Sequence, residues 1–343
     1  MKVEKSVFGH LNNRPVYRYT MQNSSGMEVT CIEYGCAITR ILVPDRNGAL
    51  ENVVLGCSQL EDYISKVPYF GAIVGRVGGR IRNGELPVGD ETFSITKNQE
   101  GNHLHGGEKG LTHRVWSSSQ TESGVEFYCE SPDGEEGFPG NLKLKVCYEL
   151  TEENELILTY YGESDRDTVL NMTNHTYFNL SGSLKDSVLS HQLTLPSAHF
   201  LELNDHSLPT GRALETEGTV FDFRNGRVLA DGIHSGHEQI CLAGGGYDHP
   251  FLLDEGKEMV LYEKNSGRLL RAVTDQPAVI VYTSNSMGND IVLQEGKRAE
   301  KHMAVCLETQ MPPDAVHHET FPSIVLISGE EYRAQTKWAF SAE

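Results

Sequence analysis

The sequence predicts an all-β fold, a large β-sandwich with few short helices, on three observations. Apolar segments of strand length recur from end to end, turn signals punctuate them, and no strand–helix alternation occurs. The segments include Glu28–Tyr34, Val53–Leu55, Leu142–Leu150, Leu156–Tyr161, His191–Leu195, Leu269–Thr274, Val279–Thr283 and Met303–Leu307. Between such runs lie Asp45-Arg46-Asn47-Gly48, Arg82-Asn83-Gly84, Pro132-Asp133-Gly134 and Asn265-Ser266-Gly267, residue types that tolerate the backbone of tight turns. One short helix is expected over Ser58–Lys66, with Ser58 as N-cap and Glu61 three residues on. No low-complexity linker, fixed-period repeat or composition break interrupts the pattern. Residues 1–343 therefore read as one domain, which at this length needs a sandwich of many strands.

Hydrophobic residues at 38% and charged residues at 22% are enough for a real core and exclude a disordered chain. A formal net charge of −19 argues against nucleic acid, which needs a basic surface, and against a highly anionic substrate. Seven cysteines, an odd number without a C-x-x-C pair, suit buried free thiols rather than a disulfide framework. The start, Met1-Lys2-Val3-Glu4-Lys5, has no apolar signal core, and no run approaches the ~18 apolar residues of a membrane span. A cytoplasmic protein, monomer or homodimer, without nucleic-acid or membrane partners is expected.

Four segments combine ionisable groups with Gly or Asn. Val74-Gly75-Arg76-Val77-Gly78-Gly79-Arg80-Ile81 sets two arginines among glycines that bring backbone and guanidinium close to a ligand. In Asn102-His103-Leu104-His105-Gly106-Gly107, an extended chain points His103 and His105 to one face. That spacing suits a metal site, or a neutral His donating to a sugar hydroxyl. The run Asn171-Met172-Thr173-Asn174-His175-Thr176-Tyr177-Phe178-Asn179-Leu180 implies a hydrogen-bond network that holds one imidazole in a fixed orientation. In Ala304-Val305-Cys306-Leu307-Glu308-Thr309-Gln310, burial at the end of an apolar strand would raise the pKa of Glu308 and make it a usable base. Gly244-Gly245-Gly246-Tyr247-Asp248-His249-Pro250-Phe251 adds Asp248 after a flexible glycine run. There is no G-x-S-x-G, Walker loop, H-E-x-x-H or C-x-x-C. Carboxylate, imidazole and polar binding groups remain, a set for proton transfer.

Together these segments resemble the aldose 1-epimerase (galactose mutarotase) family. Thr173-Asn174-His175-x-Tyr177-Phe178-Asn179-Leu180 matches its most characteristic motif, and Leu104-His105-Gly106-Gly107 its other histidine motif. Gly79-Arg80-Ile81, Gly137-Phe138-Pro139-Gly140, Asp248-His249-Pro250-Phe251, Tyr282-Thr283-x-Asn285 and Glu308-x-Gln310 agree further, in the family's order. The resemblance implies a β-supersandwich without metal or organic cofactor. It assigns His175 as general acid, Glu308 as general base, and Arg80, His105 and Asp248 as substrate-binding residues. Family members differ at Arg76. Gly79 stands where many relatives have Asn, so one sugar contact is missing or replaced. His103 gains no role from the resemblance.

The implied reaction opens the hemiacetal of a free aldohexose, rotates C1–C2, and re-closes O5 on the other face. A proton must leave the C1 hydroxyl as another reaches O5. Glu308 takes the first and His175, as imidazolium, gives the second, so a carboxylate, Glu308 or Asp248, is expected to raise the His175 pKa. The two groups should face each other across one pocket, a sugar ring's width apart. Three rivals stay open: a hexose-6-phosphate 1-epimerase, a metal-dependent β-barrel enzyme using His103, His105 and Glu308, and a non-catalytic carbohydrate-binding protein.

Overall fold

Alternating burial along the strands dictates the architecture: Leu142–Leu150 and Glu331–Ala342 each send every second side chain into the core. The computed structural model describes residues 1–343 except 68, 255, 257 and 295. Most strands fall into three sheets. The first runs Lys2–Leu11, Arg14–Gln22, Glu28–Ile32, Ile38–Pro44 and Leu50–Asn52 in chain order. The second has nine strands, with Glu155–Ser164, Glu331–Ala342 and Arg268–Thr274 adjacent at its middle. The third carries the site. Its strands are β1 (Tyr177–Phe178), β2 (His199–Leu203), β3 (Pro209–Glu215), β4 (Asp248–Leu252), β5 (Ala278–Tyr282) and β6 (Val305–Gln310), in the order β1-β6-β5-β4-β2-β3. Among the described residues the α-helices number three, each of six residues or fewer, and none is long and apolar enough to cross a membrane. The expected all-β sandwich is what the chain forms.

Local departures have local causes. Val53–Leu55 is not a strand of one sheet. The Val53 N–H bonds Ile41, while the Leu55 N–H bonds Tyr177, so the segment spans from the first sheet to the third. The strand expected at Met303–Leu307 lies over Val305–Gln310, because its pairing with β5 continues through Gln310. The helix is shorter than Ser58–Lys66. It covers Leu60–Ser65 with Gln59 at the N-cap and no side-chain cap, so Ser58 plays no capping part. All seven cysteines are free, as expected, although Cys241 is exposed and Cys129 and Cys147 are only partly buried.

Phe178, at the end of the histidine-bearing run, anchors the third sheet to the second. It is fully buried and meets Trp338 edge to face at 4.9 Å between ring centres. Phe178→Ala should therefore cost about 3–5 kcal/mol of unfolding free energy. Urea denaturation followed by tryptophan fluorescence reads this directly, and a loss below about 1 kcal/mol would show that the contact is not an anchor.

Candidate active site

Register builds the floor of the site. On β4, β5 and β6, the period-two alternation turns Asp248, Pro250, Ile280, Tyr282, Cys306, Glu308 and Gln310 to one face. Pairing sets them in rows, Asp248–Tyr282–Cys306 and Pro250–Ile280–Glu308. A cavity of about 480 Å³ stands over this face, with Arg80, His105, His175, Asp248 and Glu308 all in its lining. The five residues singled out in the sequence thus meet in one pocket, although they come from five separate segments.

The run 171–180 holds His175 as a network. Asn171 donates to the Met311 carbonyl and accepts from the Met311 N–H. Asn174 donates to the Gly71 carbonyl and the Tyr148 hydroxyl, and accepts from Thr176. Asn179 donates to the carbonyls of Asp186 and Met303. The three asparagines are therefore braces that satisfy buried backbone rather than ligands for a substrate. The His175 ring is sandwiched between Tyr177, at 4.8 Å between ring centres, and Tyr69, at 5.7 Å.

Arg80 and His105 are positioned by a short ribbon, in which Leu104 pairs with Arg80. Gln99 accepts from Arg80 Nε at 2.7 Å, which leaves the outer guanidinium nitrogens for a ligand. His105 Nδ1 accepts from the Gly79 N–H at 3.1 Å, so the neutral ring carries its proton on Nε2. His103 and His105 do not share a face as an extended chain would have them. His105 has φ 52°, which breaks the alternation. His103 is instead fully buried against Phe138, with Nδ1 2.7 Å from the Thr96 carbonyl. The turn after His105 requires glycine: at Gly106, φ is +85° and a Cβ would lie 1.7 Å from the Gly75 carbonyl oxygen.

Two further sequence candidates resolve differently. Arg76 is outside the pocket lining, 2% exposed, with its guanidinium donating to the carbonyls of Ser131, Pro132, Pro139 and Gly140 and to the hydroxyls of Ser131 and Thr168. It is a buried clamp for the Gly137–Gly140 loop. Gly79 has φ +78°, and a Cβ there would fall 2.8 Å from the Pro313 ring, so Pro313 closes the wall where a side chain would stand.

Burial governs the electrostatics. His175 Nε2 is 3.5 Å from Glu308 Oε1, beside it rather than a ring's width away. Burial pushes the Glu308 carboxyl well above its ordinary range and Asp248 adds to this, with Arg80 opposing. Burial likewise raises Asp248, against Arg80. The His175 pKa is lowered to about 4 by burial, so the expectation that a carboxylate would raise it is overturned. His105 is lowered as well, by burial and then by His175.

Ligand atoms of His105, His175 and Glu308 lie within 4.8 Å of one another, but the set does not fit a metal ion. The Gly79 N–H occupies His105 Nδ1, and coordination through Nε2 would need a proton on Nδ1 pointing at that same N–H. The alternative set with His103 is not brought together, because that ring packs against Phe138.

The family model described as aldose 1-epimerase matches residues 17–339. The chain belongs to the aldose 1-epimerase family. It is 39% identical to galactose mutarotase of Rattus norvegicus over 99% of each chain. It is 32% identical to aldose 1-epimerase of Escherichia coli (strain K12) over 97% of each chain. Among solved structures, galactose 1-epimerase from Lactobacillus acidophilus NCFM superposes with a TM-score of 0.89 at 30% identity, covering 99% of both chains. The aldose epimerase homologue from C. elegans gives 0.87 at 26%, covering 94% of this chain and 98% of that one. The chain is thus an isomerase that interconverts the anomers of aldoses, with the mutarotase fold.

Sequence reasoning missed Tyr69, Gln99 and the contact of Cys306 with His175. Tyr69 (φ 73°) lies in a turn and Gln99 in an irregular loop, where no periodicity marks a side chain as facing a site. Arg76→Ala should lower stability by about 3 kcal/mol, because six buried acceptor contacts are lost, while KM of the folded fraction stays within about twofold. Differential scanning calorimetry alongside polarimetric kinetics separates the two; an unchanged Tm with a raised KM would put Arg76 back among the ligands.

Proposed function

We propose that the pocket takes a free aldohexose and opens its ring with one proton shared by Glu308 and His175. The observation that carries this reading is the 3.5 Å separation of two buried groups whose pKa values burial moves in opposite directions. At neutral pH the couple then holds a single proton. It sits on Glu308 as a carboxylic acid beside neutral imidazole, or on His175 as imidazolium beside carboxylate, and transfer along the Oε1–Nε2 line converts one form to the other.

The O1 hydroxyl and O5 are bonded to the same carbon, so adjacent groups reach both. Glu308 carboxylate takes the O1 proton while His175 imidazolium protonates O5, and the C1–O5 bond breaks as the C1 carbonyl forms. This leaves Glu308 protonated and His175 neutral, the uncharged form that burial favours. Ring opening therefore discharges a buried ion pair, and closure on the other face of the aldehyde restores it. Arg80 donates to sugar hydroxyls from its free nitrogens, His105 donates from Nε2, and Asp248 accepts. The whole chain serves as one mutarotase-like unit in this reading, since β1, β4, β5 and β6 draw on segments far apart in sequence.

A phosphorylated hexose is disfavoured by charge. Among the described residues lining the pocket the permanent cations are Arg80 and Lys66, and Lys66 is paired with Asp62 at 2.8 Å. Asp248, Asp290 and Glu308 line the same cavity.

Glu308→Gln and His175→Asn should each lower kcat by about 10²–10⁴-fold with the fold retained, whereas His105→Asn and Asp248→Asn should chiefly raise KM. Polarimetry on freshly dissolved α-galactose and α-glucose tests all four, and near-wild-type rates for Glu308→Gln or His175→Asn would refute the assignment. The pH profile follows from the same couple. Below about pH 4 His175 gains a second proton for the couple, Glu308 can no longer accept, and activity is lost. At high pH the raised Glu308 carboxyl gives up the shared proton and O5 goes unprotonated. Activity in kcat/KM should thus stay level down through pH 5, and an acidic limb centred near the ~6.5 of an ordinary histidine would contradict it.

A further inference from the structure

We infer that Cys306 is a positioning residue for the reaction: its sulfur accepts the Nδ1–H of His175 and so fixes Nε2 as the nitrogen that exchanges a proton with Glu308 and the sugar. This rests on the reading of the couple above. Cys306 Sγ lies 3.4 Å from His175 Nδ1, and Glu308 Oε1 lies 3.5 Å from Nε2. Both partners come from β6, two residues apart on one face, so a single strand addresses both nitrogens of the ring. Register holds the sulfur in place, because Cys306 pairs with Tyr177 on one side and Tyr282 on the other. The ring is held too, between Tyr69 and Tyr177.

The direction of the hydrogen bond follows from the neighbours. Glu308 exchanges its proton with Nε2, 3.5 Å away, so the neutral ring carries its own hydrogen on Nδ1, the nitrogen that faces the Cys306 sulfur at 3.4 Å. Burial keeps the thiol protonated and uncharged. An ionised carboxylate at this place would fix the same tautomer, but it would also make the ring more basic and draw the shared proton off Glu308 for good. A neutral sulfur, a weak acceptor, sets the tautomer with little added charge stabilisation. With Nδ1–H fixed, proton transfer between Glu308 and His175 needs no rearrangement on the far side of the ring.

The test is long-range ¹H–¹⁵N spectroscopy of histidine-labelled full-length protein, with His175 assigned by loss of its signals in His175→Asn. In the free wild-type protein His175 should show a protonated Nδ1 and an unprotonated Nε2. Cys306→Ala should give a mixture of tautomers and a kcat lower by about tenfold, with KM within about twofold. Cys306→Ser, whose hydroxyl also accepts, should restore both the tautomer and most of the rate. A wild-type ring protonated on Nε2 with no hydrogen on Nδ1, or an alanine variant with unchanged kcat, overturns the inference. If the alanine variant does not fold, the wild-type and serine spectra still decide it. The tautomer is read without turnover, so it is separate from failure of the acid–base roles, which polarimetry on the Glu308 and His175 variants reports.

Discussion

A carboxyl and an imidazole buried 3.5 Å apart cannot both hold or both lose a proton without cost, and the rest of the site follows from that constraint. Burial alone would leave Glu308 protonated and His175 neutral, an inert pair. Arg80 opposes the shift on both Glu308 and Asp248, and thereby keeps the ionised form of the couple within reach. The sugar exchanges one proton for another at a single carbon, so the couple returns to the same count after each turnover. No net charge enters or leaves the cavity.

The fold supplies this proximity through backbone register rather than through flexible loops. Glu308 and Cys306 lie on β6 and Asp248 on β4, joined through β5 by continuous antiparallel pairing. His175 reaches them because its own segment is bonded to Gly71 and Ala72 on one side, and β1 pairs with β6 on the other. The asparagines around His175 take up backbone groups that an irregular buried segment would leave unpaired. Rigidity at the histidine is thus set by polar braces, and rigidity at the glutamate by a strand buried on both faces.

Much of this was legible in the sequence. Leu142–Leu150 announces itself by strict alternation, and the density of Asn, His and aromatic residues at 171–180 marks a braced imidazole. Three kinds of information were not legible. A single positive φ at His105 turned it away from His103, and spacing alone carries no sign of that reversal. Arg76 and Arg80 look alike in a Gly-rich run, yet one is enclosed by six oxygen contacts and the other opens to the cavity, a difference made by the distant loops at 131–140 and 168. The His175 pKa went the other way from expectation because a neighbouring carboxylate raises it only while ionised, and burial opposes that ionisation. Sequence shows which groups meet, whereas the protonation they adopt depends on how dry the meeting place is.

Neutron diffraction from perdeuterated crystals at neutral pD tests the shared-proton couple most directly, because it locates hydrogen isotopes at the Glu308 and His175 atoms themselves. One deuteron is expected in the gap between Oε1 and Nε2, bonded to either atom. An empty gap, or a deuteron on each side of it, would contradict the couple and the ring-opening chemistry built on it.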